Sequence, residues 1–268
     1  TKVFIPNAST TSNRSPIIDA TSSVKTITID AGGIVNTPDN SILNVSEGAG
    51  AWQNTGTFNP GNGTVVFNNL DATISGSTTF NNVTITVGAG LRALEGNYMS
   101  IAGTFTNNGT MFTTLLPNTI EFKGTNQIIP APGGESFGGY HNLIVNGSGA
   151  TIASTILNVR GNLTLNQAVP FTGKTINLAG ISDQKITGTA AINFDNVVVN
   201  KETGAVILEK DIAVVGTLTL TSGNIIIGNK NLTLGSNPVL GTFNSHNMIV
   251  ADGTGLVRRP FTGIGSYE

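Results

Sequence analysis

The sequence predicts an all-β chain, a right-handed parallel β-solenoid (β-helix) of about 12 coils, with tandem β-sandwich repeats as the alternative. Three observations predict it. Short apolar segments alternate with polar residues, as at Leu163 and Leu165, Leu218 and Leu220, and Leu232 and Leu234, the period-two signature of a half-buried strand. Gly, Asn and Asp interrupt these segments every few residues, where a corner needs positive φ. Three sequence elements also recur in a fixed order along the chain.

The first element is Gly-Thr/Asn-Phe/Leu-Thr/Asn, found at Gly56-Thr57-Phe58-Asn59, Gly103-Thr104-Phe105-Thr106, Gly161-Asn162-Leu163-Thr164 and Gly216-Thr217-Leu218-Thr219, with spacings of 47, 58 and 55 residues. The second is an aromatic residue, a spacer, Asn and an apolar strand. It occurs at Phe80-Asn81-Asn82-Val83, Tyr140-His141-Asn142-Leu143 and Phe194-Asp195-Asn196-Val197, with a weaker copy from Phe243 to Val250. The third is Thr64-Val65-Val66-Phe67, Thr119-Ile120-Glu121-Phe122 and Thr175-Ile176-Asn177-Leu178. Thr, Val and Ile suit a pleated surface, and no segment has a convincing helical pattern.

A sandwich array would turn its hairpins at Asn62-Gly63, Asn108-Gly109 and Asn146-Gly147. A solenoid would use the same dipeptides as corners, with two or three coils of roughly 20 residues in each repeat. The irregular spacing and low charge favour the solenoid. Asn and Thr would then form ladders between identical residues one coil apart. About 12 coils at ~4.8 Å would make a rod on the order of 55–60 Å long. Residues 1–55 are expected to be opening coils, 56–240 the repeat coils of one continuous solenoid, and 241–268 the last coil or the start of a following module. The first residue, Thr1, and the strand-like end at Ile264–Glu268 read as a piece of a longer protein.

Composition excludes several functions. Gly (34), Thr (37) and Asn (32) fill 103 of the 268 positions, and charged residues only 10%. With no cysteine, disulfides and Cys-based metal sites are impossible. The net charge of −2, thinly spread, does not suit nucleic acid. No run of 18 apolar residues suggests membrane insertion.

The string Phe4-Ile5-Pro6-Asn7 through Val24-Lys25-Thr26-Ile27-Thr28-Ile29 and Gly32-Gly33-Ile34, the Gly56 and Gly63 segments, Thr217–Asn224 and Asp252–Phe261 resemble large secreted β-solenoid proteins. Those are adhesin-like repeat proteins of gliding bacteria that use type IX secretion. The resemblance covers nearly the whole chain. It implies export to the cell surface or medium, a role in cell adhesion or gliding motility, and surface glycans or other cell-surface or secretion proteins as partners. It carries over no catalytic residue.

The chain itself offers few sites. Parallel β-helices include polysaccharide-active enzymes, which need converging carboxylates. The densest charged cluster, Glu209-Lys210-Asp211, reads instead as a solvated corner between two apolar strands, and Asp183, Lys185, Asp195 and Lys201 read as surface charges. His141 and His246 lack the spacing of a zinc site. No Asp-rich calcium loop is present, so no cofactor is expected beyond a structural calcium, and Asp30-Ala31-Gly32-Gly33 reads as a turn. Among aromatic residues, Tyr140 shares its slot with Phe80 and Phe194 and reads as core. Trp52, beside Gln53 and Asn54, is the one expected glycan contact. The expected function is a non-catalytic structural or adhesive segment, a rigid stalk presenting contact loops. The alternatives are a polysaccharide-active β-helix enzyme and a carbohydrate-binding module.

Overall fold

A computed structural model describes residues 1–7, 15–112, 116–132 and 139–260. The described chain is all strand and turn, a parallel β-solenoid of about 11 turns, close to the expected number. It divides into two compact units, Thr1–Ala153 and Ser154–Glu268.

In the first unit each coil runs through three strands in turn. One ladder stacks Thr21–Val24, Ile42–Val45, Thr64–Phe67, Asn82–Ile85 and Phe105–Asn107. A second stacks Lys2–Ile5, Thr26–Ile29, Trp52–Asn54, the first half of Ala72–Phe80, Gly90–Ala93 and Thr110–Phe112. A third carries the second half of Ala72–Phe80, then Tyr98–Ile101, Thr119–Phe122 and Asn142–Val145. The long strand turns from one ladder to the next at Gly76 (φ 85°), where a Cβ would run into the carbonyl of Asn54. Partner residues lie 18 to 25 positions apart, as Asn82 on Thr64 and Trp52 on Ile27 show.

The second unit repeats the scheme. One ladder holds Ile156–Val159, Thr175–Gly180, Asn196–Lys201, Leu218–Ser222 and Leu240–Gly241. The next holds Leu163–Leu165, Gln184–Thr187, Val206–Leu208, Ile225–Ile226 and Ile249–Val250. The last holds Ile192–Phe194, Ile212–Val214, Leu232–Leu234 and Val257–Arg258.

Every strand ladder among the described residues is parallel, so the hairpins of a sandwich do not form. The Asn-Gly dipeptides are close-approach corners instead. At Gly109 a Cβ would run into the carbonyl oxygen of Ala89, one coil below.

Alternation sends one face of each strand inward, building columns such as Leu43–Val65–Val83–Phe105 and Leu157–Ile176–Val197–Leu218, all 5% exposed or less. Those columns also decode the sequence repeat. The third, second and first elements are successive rungs of one ladder: Val65, Val83 and Phe105 in one copy, and Ile176, Val197 and Leu218 in another. From Thr64 to Thr119 the chain passes eight strands, counting both halves of Ala72–Phe80. With three strands per coil that is two and two-thirds turns, so the second copy, Ile120 on Leu143, lies on a different ladder.

The asparagines serve mainly through side-chain hydrogen bonds rather than as left-handed corners. Only Asn40 (φ 60°) and Asn126 (φ 54°) take the left-handed conformation among described non-glycine residues. Ladders of identical residues do occur, Asn59 to Asn36 and Asn177 to Asn158, both at 2.8 Å. More often an Asn carboxamide oxygen accepts the backbone N–H of the next coil, as Asn162 does from Lys185 at 2.9 Å and Asn166 from Thr189 at 3.1 Å.

Candidate functional site

The second unit carries an open groove of about 680 Å³ on the outer side of the ladder Ile192–Phe194, Ile212–Val214 and Leu232–Leu234. Each of these strands points its first and third residues inward, so Ile192, Phe194, Ile212, Val214, Leu232 and Leu234 are buried. The middle residues face out and stack in register as Asn193, Ala213 and Thr233, with Arg258 next in the row. Glu209, Lys210, Asp211 and Lys230 rim the groove. Two smaller hollows, of about 350 and 310 Å³, adjoin it. The first shares Ala213 and Thr233 and is bounded by Arg258 and Arg259; the second shares Asn193 and is bounded by Asp195.

The rim carboxylates are already engaged. Glu209 pairs with Lys185 at 2.5 Å. Asp211 accepts the backbone N–H of Asn231 at 2.8 Å and its side-chain amide at 2.9 Å. Those hydrogen bonds, with the positive charges of Lys230 and Arg258 nearby, hold the Asp211 carboxyl below its ordinary range. Asp195 accepts the N–H of Gly173 at 2.6 Å. Lys210 donates to the carbonyl of Thr189 at 3.0 Å. The corner reading of Glu209-Lys210-Asp211 therefore agrees with the structure, which adds the groove beside it.

Trp52 is not at the surface. It is 0% exposed, at the centre of an aromatic cluster with ring centroids 4.9 Å from Phe58 and from Phe80, and its indole N–H donates to Thr78 Oγ1 at 2.9 Å. A ring enclosed in this way offers no face to a sugar, so the expected glycan contact is corrected to a core residue. Tyr140 is core as expected, its hydroxyl donating to the Pro130 carbonyl at 2.7 Å. Tyr267 lies outside the described residues.

Lys201 also departs from expectation. It continues the inward alternation of Val197 and Val199, is 3% exposed, and donates to the Ala179 carbonyl at 2.8 Å and to Gln184 Oε1 at 3.4 Å. Burial, then the charge of Arg160, lowers its pKa to about 8, against the opposing pull of Asp183 and Glu202. A second polar cluster lies on the first unit. Burial alone would raise the pKa of Glu121, but the Asn146 amide donating to its carboxylate, the Ser100 and Tyr98 hydroxyls beside it and the charge of Lys123 hold it below the ordinary value. Burial, then the charge of Glu121, pushes Tyr98 up to about 12.

His246 is exposed, its Nδ1 3.1 Å from Ser245 Oγ. Among the described residues no group of three or more His, Asp or Glu side chains is placed to hold a metal ion. The turn at Asp30–Gly33 forms, with the Gly33 N–H donating to the Asp30 carbonyl at 2.7 Å. Compared with known protein families, curated proteins and solved structures, the chain gives no match.

Proposed function

We propose that this chain is a non-catalytic structural and adhesive segment that works as a stalk and presents its corners as contacts. The observation that carries the reading is where the charged side chains are spent. Lys25–Glu47, Asp71–Arg92 and Lys185–Glu209 join one coil to the next, and Arg160–Glu202 spans two. Asp39, Asp183 and Asp211 accept backbone N–H groups from a neighbouring coil. Carboxylates used as rungs do not converge on a reacting bond. Exposed ion pairs contribute little stability singly, but together they fix register along the stack.

Work outside the cell, at the surface or in the medium, belongs to the same proposal. It is supported by the resemblance to secreted solenoids of gliding bacteria. The test is incubation of the purified chain with a panel of polysaccharides, following new reducing ends and unsaturated products. No product is expected. Cleavage that disappears in Glu209→Gln or Asp211→Asn would overturn the reading in favour of a polysaccharide-active enzyme, the reading that the groove beside these two carboxylates favours next.

A further inference from the structure

The groove of the second unit has a charge pattern that its structural role does not need. Its acids are engaged in place, Glu209 in an ion pair with Lys185, and Asp211 and Asp195, which keep their charge, in hydrogen bonds from Asn231 and from the Gly173 N–H. Its other bases have no such pair. Among the described residues, neither Lys230 nor Arg258 has a carboxylate within 4 Å, and Lys210 uses one donor on the Thr189 carbonyl. Around the groove and its two adjoining hollows five bases, Lys185, Lys210, Lys230, Arg258 and Arg259, stand against three acids, Asp195, Glu209 and Asp211, so a chain of net charge −2 presents a local surplus of positive charge along one outer face.

The floor is as specific as the rim. Asn193, Ala213, Thr233 and Arg258 come from consecutive coils in register, so they form a straight row with a spacing of ~4.8 Å. Small and polar side chains leave room for a flat linear polymer and offer it hydrogen bonds at regular intervals. No aromatic side chain lines the central groove, so neither a neutral sugar nor a nucleobase finds a ring to stack on.

We propose that this groove binds an acidic linear polysaccharide, a uronate-bearing chain laid along the coil stack, with its carboxylates on Lys210, Lys230 and Arg258 and its hydroxyls on Asn193 and Thr233. The proposal rests on the adhesive reading above and names the ligand class for it. Hydroxyl recognition by the floor and charge recognition by one rim act together, and the charge part weakens with salt.

The test is affinity electrophoresis of the full chain through gels containing polygalacturonate, dextran or no polymer, with titration calorimetry on the polymer that retards it. Polygalacturonate should retard the protein, dextran should not, and ~0.5 M salt should abolish binding. The variant Lys210→Gln/Lys230→Gln/Arg258→Gln should weaken binding about tenfold or more, while Lys2→Gln on the other unit leaves it unchanged. Ala213→Glu, which removes no base but sets a carboxylate on the floor, should weaken it as well. Unchanged thermal melting shows that these variants fold. Absence of retardation, equal retardation of the variants, retardation by dextran alone, or equal affinity for a single-stranded oligonucleotide would overturn the proposal. A protein that neither binds polygalacturonate nor cleaves any glycan loses this site and keeps the structural reading. One that cleaves a glycan through Glu209 loses that reading instead.

Discussion

Asn196 Oδ1 accepts the backbone N–H of Thr217 at 3.0 Å, and Asn82 does the same with Thr104 at 2.8 Å. Asn196 and Asn82 belong to one recurring sequence element, Thr217 and Thr104 to another. The repeat is therefore two halves of one staple, closed a coil apart. Its glycine completes it: a Cβ at Gly216 would meet the side-chain oxygens of Asp195 at 2.5 Å and of Asn196 at 2.7 Å. Asn196→Ala should leave the Thr217 N–H short of its partner and cost about 1–2 kcal/mol. Gly216→Ala should also destabilise by obstructing the carboxamide. Because both changes break the same contact, the double variant should lose less than the sum of the singles in urea unfolding. Full additivity would show that the staple contributes nothing.

Trp52 is the only tryptophan of the chain, which makes its burial directly measurable. Its fluorescence should be blue-shifted, resistant to acrylamide quenching, and red-shifted on unfolding. Trp52→Ala should cost about 3–5 kcal/mol in denaturant unfolding, because it empties the cluster formed with Phe58, Phe67 and Phe80. Glycan binding by the folded protein should not depend on this ring. A readily quenched tryptophan would place the side chain outside.

The elements that repeat in sequence were legible because stacking demands the same local solution in every coil. Thr64-Val65-Val66-Phe67 and Thr175-Ile176-Asn177-Leu178 both alternate inward and outward on a parallel ladder. Trp52 and Lys201 misled for one physical reason. Polarity of a residue or its neighbours suggested the surface, whereas alternation placed both inward. Asn54 hid the pattern around Trp52, since it too is buried, donating to Thr78 Oγ1 at 3.0 Å. Lys201 sits two residues beyond Val199 and follows its direction. The groove was not legible, because Asn193, Ala213 and Thr233 are each 20 residues apart and meet only once the register is known. Coil length varies between 18 and 25 residues, so sequence spacing alone does not supply that register.

Glu121 makes the first unit sensitive to acid. Its folded pKa lies below the ordinary carboxylate value of 4.5, so its contribution is fully present above that value and is lost as pH falls through the folded pKa. Glu121→Gln should therefore be less stable than the parent at neutral pH, and the gap should close on acidification below about pH 4.5. Urea unfolding at a series of pH values, with the first unit followed through Trp52 fluorescence, measures the gap. A gap independent of pH would mean that Glu121 acts through shape alone.

Lys201 gives the second unit a pH dependence of the same sign, in a more alkaline window. Its folded pKa, about 8, lies below the ordinary 10.5, so the fold disfavours its charged form. Below pH 8 the lysine is charged in both states and the folded state carries the cost of burying it. As pH rises from about 8 towards 10.5 the folded lysine is neutral while the unfolded one still binds a proton, so stability increases. The gain should be of the order of 1–3 kcal/mol. Lys201→Met keeps the stem in place and removes the charge, so it should flatten this rise and be at least as stable as the parent at pH 7. Tyrosine ionisation in the unfolded chain begins near pH 10, and Tyr98, held up to about 12, then acts against stability. The comparison is cleanest between pH 8 and 10, where the difference between parent and variant in the unfolding free energy should change with pH. A constant difference across that window would show that Lys201 is solvated and charged in the folded protein.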